Sequence, residues 1–213
     1  MTMLKAGWRL ATIGLAALMI GGPLSAARPG PSMAMDAEAF DAAVEVRHDM
    51  AARTTTFSTE PAHRPSRVSP IRHLLSDHHL RAVLDWRTGA IRYEVHQRIL
   101  YWGAHARDRR DYGVALHAAP RGLRVSAVLA ATHGESFCPN EDNWGHCALT
   151  RNIVFALGED EIRAIAARGR AEPAAPWTFR IAEPRGRDWE GAIASAEAAG
   201  LLRAVERRPV PAG

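Results

Sequence analysis

Apolar and polar residues alternate through the middle of the chain. Leu80, Ala82, Leu84 and Trp86 fall on one side of an extended segment, with His79, Arg81 and Asp85 on the other, the period of two that marks a half-buried strand. After Arg87-Thr88-Gly89 the pattern resumes from Ala90 to Trp102. There Ile91, Tyr93, Val95, Ile99 and Tyr101 oppose Arg92, Glu94, His96 and Arg98, so the two segments should pair as an antiparallel hairpin. Tyr112 to His117 reads as a short strand before the turn Pro120-Arg121-Gly122. Two longer arms lie between Leu123 and Leu157. Leu123, Val125 and Leu129 share a face of the outgoing arm, and Leu149, Ile153, Phe155 and Leu157 share one on the return; both faces are expected in the core.

Helical spacing begins after Gly158. Glu159, Asp160 and Glu161 sit where a helix dipole favours acids, Ile162, Ile165 and Ala166 form an apolar stripe, and Arg168 with Gly169 suits a helix end. Trp177 to Ile181 reads as a strand. Asp188 is expected to cap a second helix with Trp189, Ile193 and Ala196 on its inner stripe, ending at Gly200 or running on to Arg207. Nearer the N-terminus, Asp36 to Arg53 fits a helix bearing Phe40 and Val44, although Val44-Glu45-Val46-Arg47 alternates like a strand. Thr54 to Thr59 is β-branched and aromatic and reads as a strand. The three prolines between Glu60 and Arg72 mark a linker.

Strands followed by strand-helix-strand-helix predict an α+β fold. The expected form is a largely antiparallel sheet of about five to seven strands, two C-terminal helices packed on one face, and one hairpin clamped by a disulfide. Residues 78–207 form the α+β domain, behind an N-terminal leader at 28–77 that carries a short helix or strand and the proline-rich linker; residues 208–213 form a tail.

The first 27 residues change the picture most. Lys5 and Arg9 precede an apolar run from Leu10 to Gly22, and small residues Ser25 and Ala27 lie just before Arg28, the three parts of a secretory signal peptide. The run has 13 residues, short of the roughly 20 that span a bilayer, so cleavage near Ala27 and a periplasmic or secreted protein with no membrane span are expected. Cys138 and Cys147, the only cysteines, flank the tip of the long hairpin, and an oxidising compartment favours their pairing.

Charge excludes little beyond a nucleic-acid partner. The net charge of +4 includes Lys5 and Arg9, and Lys5 is the sole lysine, so the pI of 9.7 reflects arginine rather than a basic patch.

Candidate chemistry concentrates at the hairpin tip. His133, Glu135, Asp142 and His146 supply imidazole and carboxylate donors suited to zinc or copper, and Trp144 at the tip suggests a partner surface. The tip does not match the deaminase zinc signature, because Pro139 follows Cys138 and the second cysteine comes nine residues later. Nor is it a calcium loop, with Trp144 and Arg151 where oxygen ligands belong. Ser136 near His133 has no nucleophile elbow around it. His73, Asp77, His78 and His79 form a second cluster, but adjacent strand residues face opposite ways, so His78 and His79 are expected as solvated or edge histidines that share no ion. No catalytic constellation is complete. The reading is an exported, non-catalytic binding domain that engages an envelope or secreted protein through the open sheet face or the hairpin tip. The competing reading is a small periplasmic metal-binding protein or hydrolase built on His133, Glu135, Asp142 and His146.

Overall fold

The computed structural model describes residues 34–63, 77–103, 109–133, 147–171 and 176–207. They form nine strands, three helices and a single 3-10 turn, Glu60–His63. The strands are β1 (Glu45–Asp49), β2 (Thr54–Ser58), β3 (Asp77–Asp85), β4 (Ile91–Gly103), β5 (Val114–Ala119), β6 (Gly122–His133), β7 (Cys147–Leu157), β8 (Trp177–Ala182) and β9 (Trp189–Ile193). The helices are α1 (Ala37–Ala43), α2 (Glu159–Ala171) and α3 (Ser195–Arg207). All nine strands belong to one sheet in the order β1-β2-β3-β4-β7-β6-β5-β8-β9, and each pairing is antiparallel.

The expected alternation builds the centre of this sheet. β3 and β4 pair with Leu80 opposite Val95 and Ala82 opposite Tyr93, and β4 pairs with β7 so that Val95 meets Phe155. Those residues, with Ile99, Ile153 and Leu157, are buried. Ile162 and Ile165 of α2 and Leu201 and Leu202 of α3 cover them, and Trp177, Phe179 and Ile181 extend the core along β8. Each such side chain contributes about 1.5–3 kcal/mol by leaving water, which makes this layer the main source of cohesion.

Several expectations are corrected by the structure. The sheet has nine strands, not five to seven, partly because the segment from Asp36 to Arg53 is helix and then strand rather than one of them. Asp36 caps α1 by accepting from the Ala39 N–H at 2.8 Å, the helix stops at Val44, and β1 pairs with β2. Asp188 opens no helix. Its carboxylate accepts from the Glu183 N–H at 2.9 Å and closes the turn of the β8–β9 hairpin. Trp189 and Ile193 lie four residues apart, a spacing that both a strand face and a helix face satisfy, and pairing with β8 decides for the strand. Gly169 and Gly200 cap nothing, since each lies within a helix.

The outgoing arm is inverted relative to expectation. Leu123, Val125 and Leu129 are 76%, 61% and 54% exposed, whereas Ser126 and His117 are buried. In the β5–β6 register Ala115 lies opposite Ser126 and Leu116 opposite Val125, so the apolar set of β6 faces outward with Leu116. A one-residue register choice flips every side chain, and β6 takes the polar-inward choice. A bulge between Val128 and Ala130 then shifts its pairing with β7. No disulfide is found among the described residues, and Cys138 lies outside them, so the clamp is not supported.

Gly200 allows α1 to dock on α3. A Cβ there would meet Phe40 Cβ at 2.6 Å, the Asp41 backbone nitrogen at 2.8 Å and the Ala37 carbonyl at 2.9 Å. Two of these contacts are backbone and cannot rotate away. Gly200→Ala should therefore lower the unfolding midpoint: the gain of about 1 kcal/mol in helix propensity is outweighed by overpacking of about 1–3 kcal/mol. An unchanged or raised midpoint in thermal unfolding would show that α1 does not seat against α3 at this distance.

Candidate metal centre

Glu197 lies in the first turn of α3 and has no exposed surface. A carboxylate at that position is favoured by the helix dipole, yet its burial still demands partners. Oε1 takes nearly all of them: the Thr59 hydroxyl at 2.5 Å, the Leu80 N–H at 3.1 Å and His63 Nε2 at 3.1 Å, the last close but poorly aligned for a hydrogen bond. Oε2 has no hydrogen-bond partner. One oxygen is thus anchored and the other is unspent, the arrangement by which outer-shell donors orient a ligating carboxylate.

Three elements converge on this carboxylate. His63 ends the 3-10 turn that follows β2, held in place where the Thr59 N–H bonds to the Leu80 carbonyl at 3.0 Å and carries the chain past the end of β2 and onto β3. His78 lies in β3 on the same side as Leu80, beyond the last residue that β2 pairs. The His63 and His78 rings meet edge to face with centroids 4.9 Å apart. Their Nε2 atoms and Glu197 Oε2 all lack hydrogen-bond partners, and one donor atom from each of the three residues falls within 4.8 Å of the others. Among the described residues, this is the group that could hold a metal ion.

Electrostatics divide the two histidines. Burial works against a charged His63, but the adjoining Glu197 carboxylate, with Asp77 farther off, outweighs it and holds the ring above its ordinary pKa. His78 is pushed below, chiefly by burial and further by His63, with Glu197 opposing. Burial would raise Glu197, yet His63, His78 and the Thr59 hydroxyl keep it below the usual carboxylate value. The centre therefore offers an anionic oxygen and a neutral imidazole, while His63, held above its ordinary pKa, has to give up its proton to serve as a ligand.

His79, the next residue, faces the opposite side of the sheet, as adjacent strand residues must. It lies opposite His96 with the rings stacked 5.0 Å apart, and His96 bonds Glu94 at 2.9 Å. Both histidines line a shallow concavity of about 420 Å³ with Asp77, Arg81, Arg98 and Asn152; a neighbouring one of about 460 Å³ is lined by Arg47, Thr56 and Arg81. Burial pushes the His79 pKa down to about 2, helped by the neighbouring His96 and Arg81 and by His63 and His78.

A further buried chain runs from Ser126 Oγ to His117 Nε2 at 3.0 Å and from His117 Nδ1 toward Glu161 Oε1 at 3.9 Å. The order is that of a hydrolase triad, but the His117 ring is enclosed by Phe155 at 5.9 Å and Trp177 at 5.3 Å. Neither concavity includes any of its members. Glu161 instead holds the start of α2, accepting from the Gly158 N–H at 2.5 Å and pairing with Arg124 at 3.2 Å. His117, Ser126 and Glu161 are all buried, and His117 Nδ1 and Glu161 Oε1 keep no hydrogen-bond partner.

The expected tip site is only partly in view. His133 ends β6, exposed and opposite Arg151, and slight burial with the Arg151 and Arg109 charges lowers its pKa. Glu135, Ser136, Cys138, Asp142, Trp144 and His146 lie outside the described residues, as does His73. His78, expected at a solvated edge, is in fact held beside His63 and Glu197. Both partners are remote in sequence, His63 in the proline-rich segment and Glu197 within the apparent continuation of a surface helix. The one available signal was the phase of α3: with the helix starting at Ser195, Glu197 falls on the stripe of Leu201 and Ala204, a carboxylate aimed inward. Comparison of the chain with protein-family models, curated proteins and solved structures finds no match.

The depressed pKa of His79 predicts acid lability. Its unfolded value is near 6.5 and its folded value about 2, so the unfolded chain binds the extra proton between them and stability is lost as pH falls below 6.5. His78 and His117, also lowered, act in the same direction, while His63 opposes them. Unfolding midpoints should drop from pH 7 to 5, and His79→Gln should flatten that slope. An equal slope in the variant would mean that His79 is protonated in the folded protein.

Proposed function

We propose that this is an exported, non-catalytic protein that binds a divalent transition metal through His63, His78 and Glu197. The observation that carries the reading is the convergence of three donor atoms within 4.8 Å, each of the three residues keeping an unpartnered buried atom. Two imidazoles and one carboxylate suit zinc, which binds such donors at about 2.0–2.2 Å. Calcium and magnesium prefer oxygen ligands in larger number. Thr59 and the Leu80 N–H supply the outer shell that fixes the carboxylate. The N-terminal 27 residues support export. The tip set His133, Glu135, Asp142 and His146 is a separate candidate that the same experiment separates.

Untagged protein from the periplasm, analysed for metal, should carry stoichiometric zinc. A His63→Ala His78→Ala double variant should lose it, and a His133→Ala His146→Ala variant should retain it. Metal-free wild type, or loss only in the tip variant, overturns the assignment. The mature chain should begin close to Arg28 in the soluble envelope fraction; Met1 retained in a membrane pellet would refute export.

A further inference from the structure

We propose that the cation acts as a clasp that fastens the N-terminal edge of the fold to α3, so that metal binding and the seating of residues 37–63 are one event; this rests on the metal reading above. The ligands come from three elements with different attachments. His63 belongs to the 3-10 turn, His78 to β3 in the interior of the sheet, and Glu197 to α3.

The segment that ends in His63 lies at one edge of the sheet. β1 is an edge strand, paired only with β2, and none of its residues is buried. α1 has seven residues, too few to be stable without tertiary contacts. Its attachment to α3 includes Phe40 and the Asp41 backbone seated at Gly200 and the ion pair between Asp41 and Arg207. Peripheral units of this kind open locally at a fraction of the global unfolding free energy.

The centre lies where this unit meets the rest. The Phe40 ring lies 6.0 Å from His63, so the ligand and the main apolar anchor of α1 form one contact. The Thr59 hydroxyl reaches Glu197 from the same segment. An ion bound by His63, His78 and Glu197 would add bonds that local opening must break, whereas β4 and β7 contribute no ligand. Opening of residues 37–63 separates His63 from the other two donors and forfeits the ion. Mass action then stabilises the closed form in proportion to bound metal.

Hydrogen exchange on the full mature chain tests this, with zinc binding measured in parallel by calorimetry and magnesium as the control cation. Zinc should slow amide exchange in α1 and the 3-10 turn by about tenfold or more at saturating metal, and have no effect in His78→Gln or His63→Gln. Circular dichroism of both variants confirms that they are folded. Zinc binding with unchanged exchange at α1 overturns the clasp and leaves the metal reading intact. Absence of zinc binding in the wild type overturns both.

Discussion

A carboxylate without exposed surface has to be answered from within the protein, and in this fold the answer to Glu197 draws in four other residues. An unpaired buried charge costs several kcal/mol, so the Thr59 hydroxyl, the Leu80 N–H, His63 and His78 are all held to account for it. Those residues come from the end of β2, from β3 and from the turn between them. One side chain on α3 thereby specifies how the chain leaves β2, where β3 begins to run free of it, and at what height α3 crosses. Hydrophobic burial supplies most of the free energy. The Glu197 network supplies the register in which that burial occurs.

The same division holds farther along the sheet, where the interior of the β5–β6 hairpin is polar. Ser126 bonds His117 and Arg124 pairs with Glu161 beneath the start of α2, and the apolar residues of β6 are left on the outer face. Hydrophobicity alone would place Leu123 and Val125 inward. Turning β6 over would carry Ser126 and Arg124 outward and leave the buried His117 and Glu161 without those partners. The outer surface is consequently of two kinds, charged and hydroxylic over β1 to β4 and apolar over β6.

How much of this was legible in the sequence depends on whether a residue's fate was decided by its neighbours in the chain. β3, β4 and β7 were readable because their inner faces are largely apolar, and the β3–β4 pairing because the two strands follow each other in the chain. The stripe of Ile162, Ile165 and Ala166 in α2 was readable for the same reason. Trp189 and Ile193 were misread because a spacing of four fits both helix and strand until β8 is known to lie alongside. Leu123 was misread because inversion of β6 depends on Glu161, 38 positions away by the numbering. The candidate metal centre was out of reach, since His63 and Glu197 come together only through the crossing of α3 over β3. The one member that drew notice, His78, was set aside on a correct argument about His79. Neighbouring strand residues do face apart, and that geometry is what frees His78 to face inward.

Two glycines bracket Glu197 along α3 and its surroundings. Gly169 of α2 lies against Ser195, where a Cβ would come within 2.9 Å of the serine Cβ, and Gly200 lies against Phe40 and the backbone of α1. A helix turns by about 100° per residue, so contacts at Ser195 and Gly200 fall on different sides of α3. Held between two flat spots, the helix behaves like a key in a ward lock: it can neither roll nor slide without driving a backbone into a backbone. The bearing of the Glu197 carboxylate toward His63 and His78 is therefore set by what is missing from two side chains that never touch it.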